Sequence, residues 1–336
     1  MGQAAEETLI WQLADRDVKM AEPLMFGSLE VREVLKMPIH FSPSRRRFLA
    51  ATSAAAAYCV FAKPVASAEV DDDLVYVLND THIGEKHPHD SPVPTHLRQV
   101  VAELLALPRR PAAVIVNGDL ALKDGQPGNY RHLAELLKPL RAARFNLHLT
   151  LGNHDDRDVF YEVLRDEKTE VPAVASKHLA VVQTRSASFF LLDSLQKTMV
   201  TPGELGATQR KWLAAALDTH ADRPAILVAH HNPRLGGDPL HFPGGLIDSQ
   251  PLWDLIASRR HVKAYVHGHV HDRTYAEHQG IHIINTPATS YVADPTKSTT
   301  GWTVARFSKG GVELTTRTTD PDHAWNDERR ELTWRT

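Results

Sequence analysis

The chain is 336 residues long, with 38 Lys and Arg against 41 Asp and Glu and a formal charge of −3. At 42% hydrophobic and 24% charged residues it has the make-up of a globular protein, which excludes a collagen, a coiled coil and a disordered chain. The near-neutral balance also argues against a nucleic-acid partner, which calls for a strong basic excess.

Residues 1–36 hold seven acids and four bases. Then come Ser44-Arg45-Arg46-Arg47-Phe48-Leu49, an apolar run from Phe48 to Ala62, and Ala66-Ser67-Ala68. A basic region, a short apolar region and a small-x-small site in that order make a signal peptide. The run is too short to span a bilayer, which takes roughly 20 residues. The Ser-Arg-Arg-x-Phe-Leu pattern resembles a twin-arginine (Tat) signal. We therefore expect 1–36 to be a doubtful extension with the start at Met37, 37–68 to be the signal peptide, and 69–336 to be one mature domain, periplasmic or secreted. The Tat export machinery is its expected partner in transit. Cys59, the one cysteine, falls inside the signal, so the mature domain has no thiol, which suits an oxidising compartment. Ala56-Ala57-Tyr58 before it makes a poor lipobox, and no stable membrane anchor is expected.

From residue 74 short apolar runs alternate with helical patterns. The expected strands are Leu74–Leu78, Ala112–Val116, Asn146–Leu151, two within 178–194, Ala225–Val228 and Val262–Val266. Helices are expected at about 95–107, 129–142, from Asp158, at 207–218 and at 251–259. In the first of these helices Leu97, Val100, Val101, Leu104 and Leu105 make a buried stripe. Ile281–Ile284 and the stretch Trp302–Thr316, with its Lys309-Gly310-Gly311 turn, read as antiparallel strands. Alternation of this kind builds a mainly parallel sheet. The two strand sets suggest an α/β protein with mixed sheets in a four-layer α/β/β/α sandwich.

Five strand-like runs end in polar clusters: Asp80-Thr81-His82; Gly118-Asp119; Gly152-Asn153-His154-Asp155; His230-His231-Asn232-Pro233; and Gly268-His269-Val270-His271. In an α/β sheet the carboxyl ends of the strands converge on one edge where ligands bind. The clusters supply oxygen and imidazole donors, suited to Zn, Fe, Mn or Ni rather than to a soft thiolate site. Twenty histidines in the chain agree with metal chemistry, although solvated loops could also account for them. Asp80/His82 and His269/His271 are spaced i, i+2, so on an extended strand end each pair points one way. Gly118 and Gly152 allow a close backbone approach.

These motifs, in this order, resemble those of the calcineurin-like metallophosphoesterases across about 74–316. The stretch from Gly118 to Arg157 is similar to the branch of cyclic-nucleotide phosphodiesterases and glycerophosphodiesterases. The resemblance implies two divalent or mixed-valence ions (Fe, Mn or Zn) bridged by Asp119. Asp80, His82 and His271 would complete one site; Asn153, His230 and His269 the other. His154 would face the substrate, with Asp155 behind it holding its ring. Two such ions, about 3.5–4 Å apart, clamp a phosphate and acidify a shared water to a nucleophilic hydroxide. The implied activity is hydrolysis of a small phosphate ester, a phosphodiester in preference to a monoester. Leu151 stands where the protein Ser/Thr phosphatases carry Arg, and Leu122 where purple acid phosphatases carry a ligating Tyr. The other reading is a secreted metal-binding or interaction protein whose phosphoesterase site is inactive.

Other histidines read differently. His231 lies on the opposite strand face from His230, or reaches the substrate if the chain turns there. His267 is expected in the core and His148, alternating with Leu147 and Leu149, in a structural role, while His87, His89 and His96 sit in or beside a solvated Pro-rich loop. Trp212, Phe189 and Phe190 are expected to be core residues.

Overall fold

The computed structural model describes residues 69–235 and 244–336. The expectations for residues 1–68, among them the Met37 start, the Tat signal and Cys59, lie outside the described residues. Among the described residues no helix is long and apolar enough to cross a membrane.

In chain order the elements are β1 (Val70–Asn79), α1 (Pro92–Ala106), β2 (Arg110–Asn117), α2 (Pro127–Ala142), β3 (Leu147–Thr150) and α3 (Arg157–Val163). The second half adds β4 (Ala180–Gln183), β5 (Ser188–Leu191), α4 (Ala207–Thr219), β6 (Ala225–Val228), α5 (Ser249–Ile256) and β7 (Val262–His267). The chain closes with β8 (Thr274–His278), β9 (Ile281–Asn285), β10 (Gly301–Phe307), β11 (Gly311–Thr318) and β12 (Arg329–Thr333). Helices α1 and α2 begin earlier than their apolar stripes because Pro92 and Pro127 occupy the first turn, where a missing N–H costs nothing. The Asp156 side chain caps α3, accepting from the N–H groups of Asp158 and Val159, a device worth about 1 kcal/mol.

Two six-stranded sheets result, ordered β12-β11-β10-β1-β2-β3 and β4-β5-β6-β7-β9-β8. Strands β1, β2 and β3 are parallel, as are β5, β6, β7 and β9. Strand β10 joins β1 antiparallel and extends the first sheet to β12.

The layers follow from alternation along single strands. Leu74, Tyr76 and Leu78 of β1 pack outward with Leu97, Val100 and Leu104 of α1 and Leu133 and Leu137 of α2. Val75 and Val77 point the other way and meet Phe189, Leu191, Ile226 and Val228 of the second sheet. Phe190 turns outward again to Leu213 and Leu217 of α4 and Leu252 and Trp253 of α5. Both faces of these strands are covered, which is why they read as continuous apolar runs. The architecture is the expected four-layer α/β/β/α sandwich of mixed sheets. Strands β8 and β12 (TYAEH and RRELT) were not expected: each is an edge strand with little burial and no apolar alternation.

Two asparagines at the ends of parallel strands stitch the sheets together under the polar clusters. The Asn79 side-chain N–H donates to the Thr286 carbonyl at 3.2 Å, and that of Asn117 donates to the Ala229 carbonyl at 3.1 Å. Neither residue is marked out in the sequence, although each breaks an apolar run just before a motif.

Candidate metal centre

The five clusters meet at this stitched edge, but not as strand ends. Asp80, His82, Asp119, His269 and His271 all have positive φ, between 44° and 69°. Contrary to the expected extended strand ends, Asp80/His82 and His269/His271 sit in left-handed turns, a conformation Asp and His tolerate better than branched residues do. The second pair also divides: His271 joins Asp80 and His82, while His269 joins a different group. Bonds from the N–H of Asp80 to the Gly118 carbonyl and from the N–H of His82 to the Asp119 carbonyl lock the first two loops together. Gly152 is required sterically, since a Cβ there would lie 2.1 Å from Asp119 Oδ1.

Two groups of side chains offer ligand atoms close enough to share a cation: Asp80, His82, Asp119 and His271, and Asp119, His230 and His269. Asp119 belongs to both. Its Oδ2 lies 3.6 Å from His82 Nε2 and 3.2 Å from His230 Nε2. His82 Nε2 faces His271 Nε2 at 3.0 Å, and His271 Nε2 is 3.3 Å from Asp80 Oδ1. Backbone carbonyls orient the rings from behind: Leu122 on His82 Nδ1, Asn117 on His230 Nδ1 and Gly244 on His269 Nε2. Such outer contacts aim the remaining nitrogen at a metal.

The donor set fits divalent cations. The Oδ1 of Asn153 is buried with no hydrogen-bond partner, and buried polar atoms are seldom left so. Asn153 lies in neither group of His and Asp ligands, but its orphaned oxygen belongs to the same loop as His154. Burial pushes His82 down to about 3 and drives His269 well below the usual imidazole value, which keeps both neutral and free to ligate. Burial pushes Asp119 up, but His230, His154 and His82 outweigh that and hold its carboxyl far below the usual range. Burial lowers His230, yet the Asp119 carboxylate beside it raises it to about 9.

His154 is part exposed, and its Nε2 lies 3.9 Å from Asp119 Oδ2. Its ring is held by Nδ1 on the Lys123 carbonyl at 2.8 Å, not by Asp155. The expectation that Asp155 holds the His154 ring is thus corrected. The Asp155 carboxylate is fully buried and accepts from the N–H groups of Gly152, Leu120 and Ala121 and from the Tyr130 hydroxyl. It ties the second and third motif loops together from beneath. Burial, with Asp119 nearby, raises it to about 6.

His231 is buried, bonds Ser194 through Nδ1 at 2.8 Å and packs against the rings of His230 and His269. Its buried ring backs those two rings and does not face solvent. His267 is a buried residue with Nδ1 3.0 Å from the Gly268 carbonyl, as expected. His89 is exposed, whereas His87 is half-buried and His96 bonds the Ser290 carbonyl.

Two mixed sheets thus carry, in the loops beyond their strands, a buried cluster of carboxylates and imidazoles able to bind divalent cations. Residues 74–273 match the calcineurin-like phosphoesterase family, and the chain belongs to that family. It is 31% identical over 251 residues to a cAMP/cGMP dual specificity phosphodiesterase of Mycobacterium tuberculosis, covering 72% of this chain and 75% of that one. It is also 28% identical over 190 residues to a glycerophosphodiester phosphodiesterase of Enterobacter lignolyticus, covering 56% of this chain and 66% of the other. Among solved structures it is similar in fold to a dimetal phosphatase from Danio rerio, with TM-score 0.60 at 14% identity over 78% of this chain and 99% of that one.

Proposed function

We propose that the protein is an exported, dinuclear-metal phosphodiesterase that hydrolyses a small phosphate diester. The observation that carries this reading is the convergence of two ligand groups on one shared carboxylate, Asp119. Relatives named as cyclic-nucleotide and glycerophosphodiester phosphodiesterases support the diester preference. A Tat-like leader favours scavenging of glycerophosphodiesters or nucleotides outside the cytoplasm over turnover of an internal signal.

Asp80, His82 and His271 would hold one cation, Asn153, His230 and His269 the other, and Asp119 both. When bound, the cations neutralise phosphate charge and acidify a water for attack on phosphorus. Phosphoryl transfer asks the protein mainly for positioning and charge neutralisation. Here the carbonyl-anchored rings and the loops tied by Asp155 provide the positioning. With Nδ1–H of His154 held by Lys123, a second proton on Nε2 makes an imidazolium whose N–H points into the centre. That proton can neutralise a phosphate oxygen or pass to the departing alkoxide.

Turnover of bis(p-nitrophenyl) phosphate against p-nitrophenyl phosphate, with Mn, Zn and Fe added separately, tests the reading. Preference for the diester supports it. Metal binding without turnover of either ester would instead favour the inactive binding protein. Fractionation of cells making the full chain tests export: recovery solely from the cytoplasm would refute it.

A further inference from the structure

One short segment clasps the loop that carries Asn153 and His154. Residues 193–199 follow β5 and run beside residues 153–157, which follow β3, so the contact joins the two sheets. The Met199 N–H donates to the Asn153 carbonyl at 2.8 Å. The Thr198 hydroxyl donates to the Asp155 carbonyl at 2.9 Å and lies 3.0 Å from Asp156 Oδ2. Arg157 donates from Nε to Asp193 Oδ2 at 2.6 Å and from Nη2 to Asp193 Oδ1 at 2.9 Å. Its Nη2 also reaches the Leu195 carbonyl at 2.7 Å. A two-pronged guanidinium–carboxylate pair of this kind fixes orientation as well as distance.

The same segment also reaches the histidines of the second ligand group. The Asp193 carboxylate is fully buried and accepts from the N–H groups of His178 and Leu195 as well, at 2.8 Å and 3.0 Å. Gln209 of α4 pins its main chain, accepting from the Asp193 N–H and donating to the Asp193 carbonyl. Ser194 is buried too, with its hydroxyl 2.8 Å from His231 Nδ1. The His231 ring packs on those of His230 and His269, at 5.1 Å and 4.6 Å between centroids. One dipeptide thus has the Asn153 loop on one line of contacts and His230 and His269 on another. Among the described residues no hydrogen bond links the segment to Asp80, His82 or His271.

We infer that Asp193 and Ser194 are positioning residues that hold Asn153, His230 and His269 in place for the second cation, acting through Arg157 and His231 without ligating the metal themselves. The inference rests on the two-cation reading above. Asn153 comes from a loop of the first sheet, and His230 and His269 from loops of the second, so their mutual placement needs a link between the sheets. The buried Asp193 carboxylate, with its partners on both sides, is such a link. Removing outer contacts that orient ligands typically weakens metal binding by about 10–100-fold.

Calorimetric titration of the full chain with Zn2+ tests it, on wild type, Arg157→Ala and Ser194→Ala. Asp193→Ala would strand the Arg157 charge and can fail to fold, whereas these two variants leave the Asp193 carboxylate its N–H partners. In each, affinity at the second group should fall about 10–100-fold while that at the first stays near wild type. Anomalous scattering from crystals at limiting Zn2+ assigns the sites: the peak beside His230 and His269 should weaken, and the peak beside Asp80 and His82 should not. A lowered Tm with both affinities unchanged overturns the inference, as does an equal fall at both groups. Hydrogen exchange of the metal-free chain gives a second readout. Amides of 152–156 should exchange faster in Arg157→Ala, and those of 230–232 in Ser194→Ala; unchanged exchange in both variants overturns the inference. If wild type takes up a single Zn2+ yet exchange rises in these loops, the two-cation reading fails and the positioning role stands.

Discussion

The main-chain N–H of His154 donates to Asp119 Oδ1 at 2.9 Å. The loop carrying His154, the residue we propose to face the substrate, is thereby fastened to the carboxylate whose other oxygen lies near His82 and His230. Chemistry and metal binding thus share one anchor, and the two can be separated by substitution.

Asp119→Asn removes the charge that both groups share and leaves a neutral oxygen in its place. Turnover should fall by several powers of ten, and the metal content of the purified protein should drop for both ions together. Retention of two ions with modest loss of activity would show that Asp119 does not bridge them.

His154→Ala should lower kcat by about 10²–10⁴, the range for a general acid, while metal content stays near wild type. The ring is outside both ligand groups, and its N–H anchor is backbone, which alanine keeps. Loss of metal in this variant would contradict the role.

Asp155→Asn is predicted to act on stability. It sets an amide N–H against either the Ala121 N–H or the Gly152 and Leu120 N–H pair, which bond opposite carboxylate oxygens, and leaving a buried donor unpaired costs about 1–3 kcal/mol. Thermal unfolding should show a lowered Tm, with the contact between the His154 ring and the Lys123 carbonyl kept. An unchanged Tm with loss of turnover would restore a catalytic role.

That correction shows what sequence could convey here. The five motifs were readable because each follows an apolar run buried on both faces, as in Leu74–Leu78 and Ala225–Val228. Their convergence followed from parallel topology alone. The adjacency of His154 and Asp155 suggested a pair, but the turn sends one side chain toward Asp119 and the other under the loops, and spacing does not encode that. The left-handed turns at Asp80 and His269 are equally silent, since neither residue needs positive φ as glycine often does. The charged strand β12 lacks the alternation that marks strands.

Metal affinity should rise with pH. In the metal-free protein burial lowers His230 but Asp119 raises it to about 9, and only the neutral ring ligates. Below that value a proton must leave for each cation bound at the second group, so affinity should climb by about tenfold per pH unit from this group alone and level off above it. Calorimetric titration with Zn2+ across neutral pH, in buffers of different protonation enthalpy, reads both the slope and the released proton. A flat profile with no proton release would contradict the assignment of His230 as a ligand.

The central claim is a shared cage for two cations, and a crystal of the metal-loaded protein measured for anomalous scattering tests it most directly. The account predicts two peaks about 3.5–4 Å apart, both touching the Asp119 carboxylate, one beside Asp80, His82 and His271 and the other beside Asn153, His230 and His269. A single peak, or two that do not share Asp119, would contradict it.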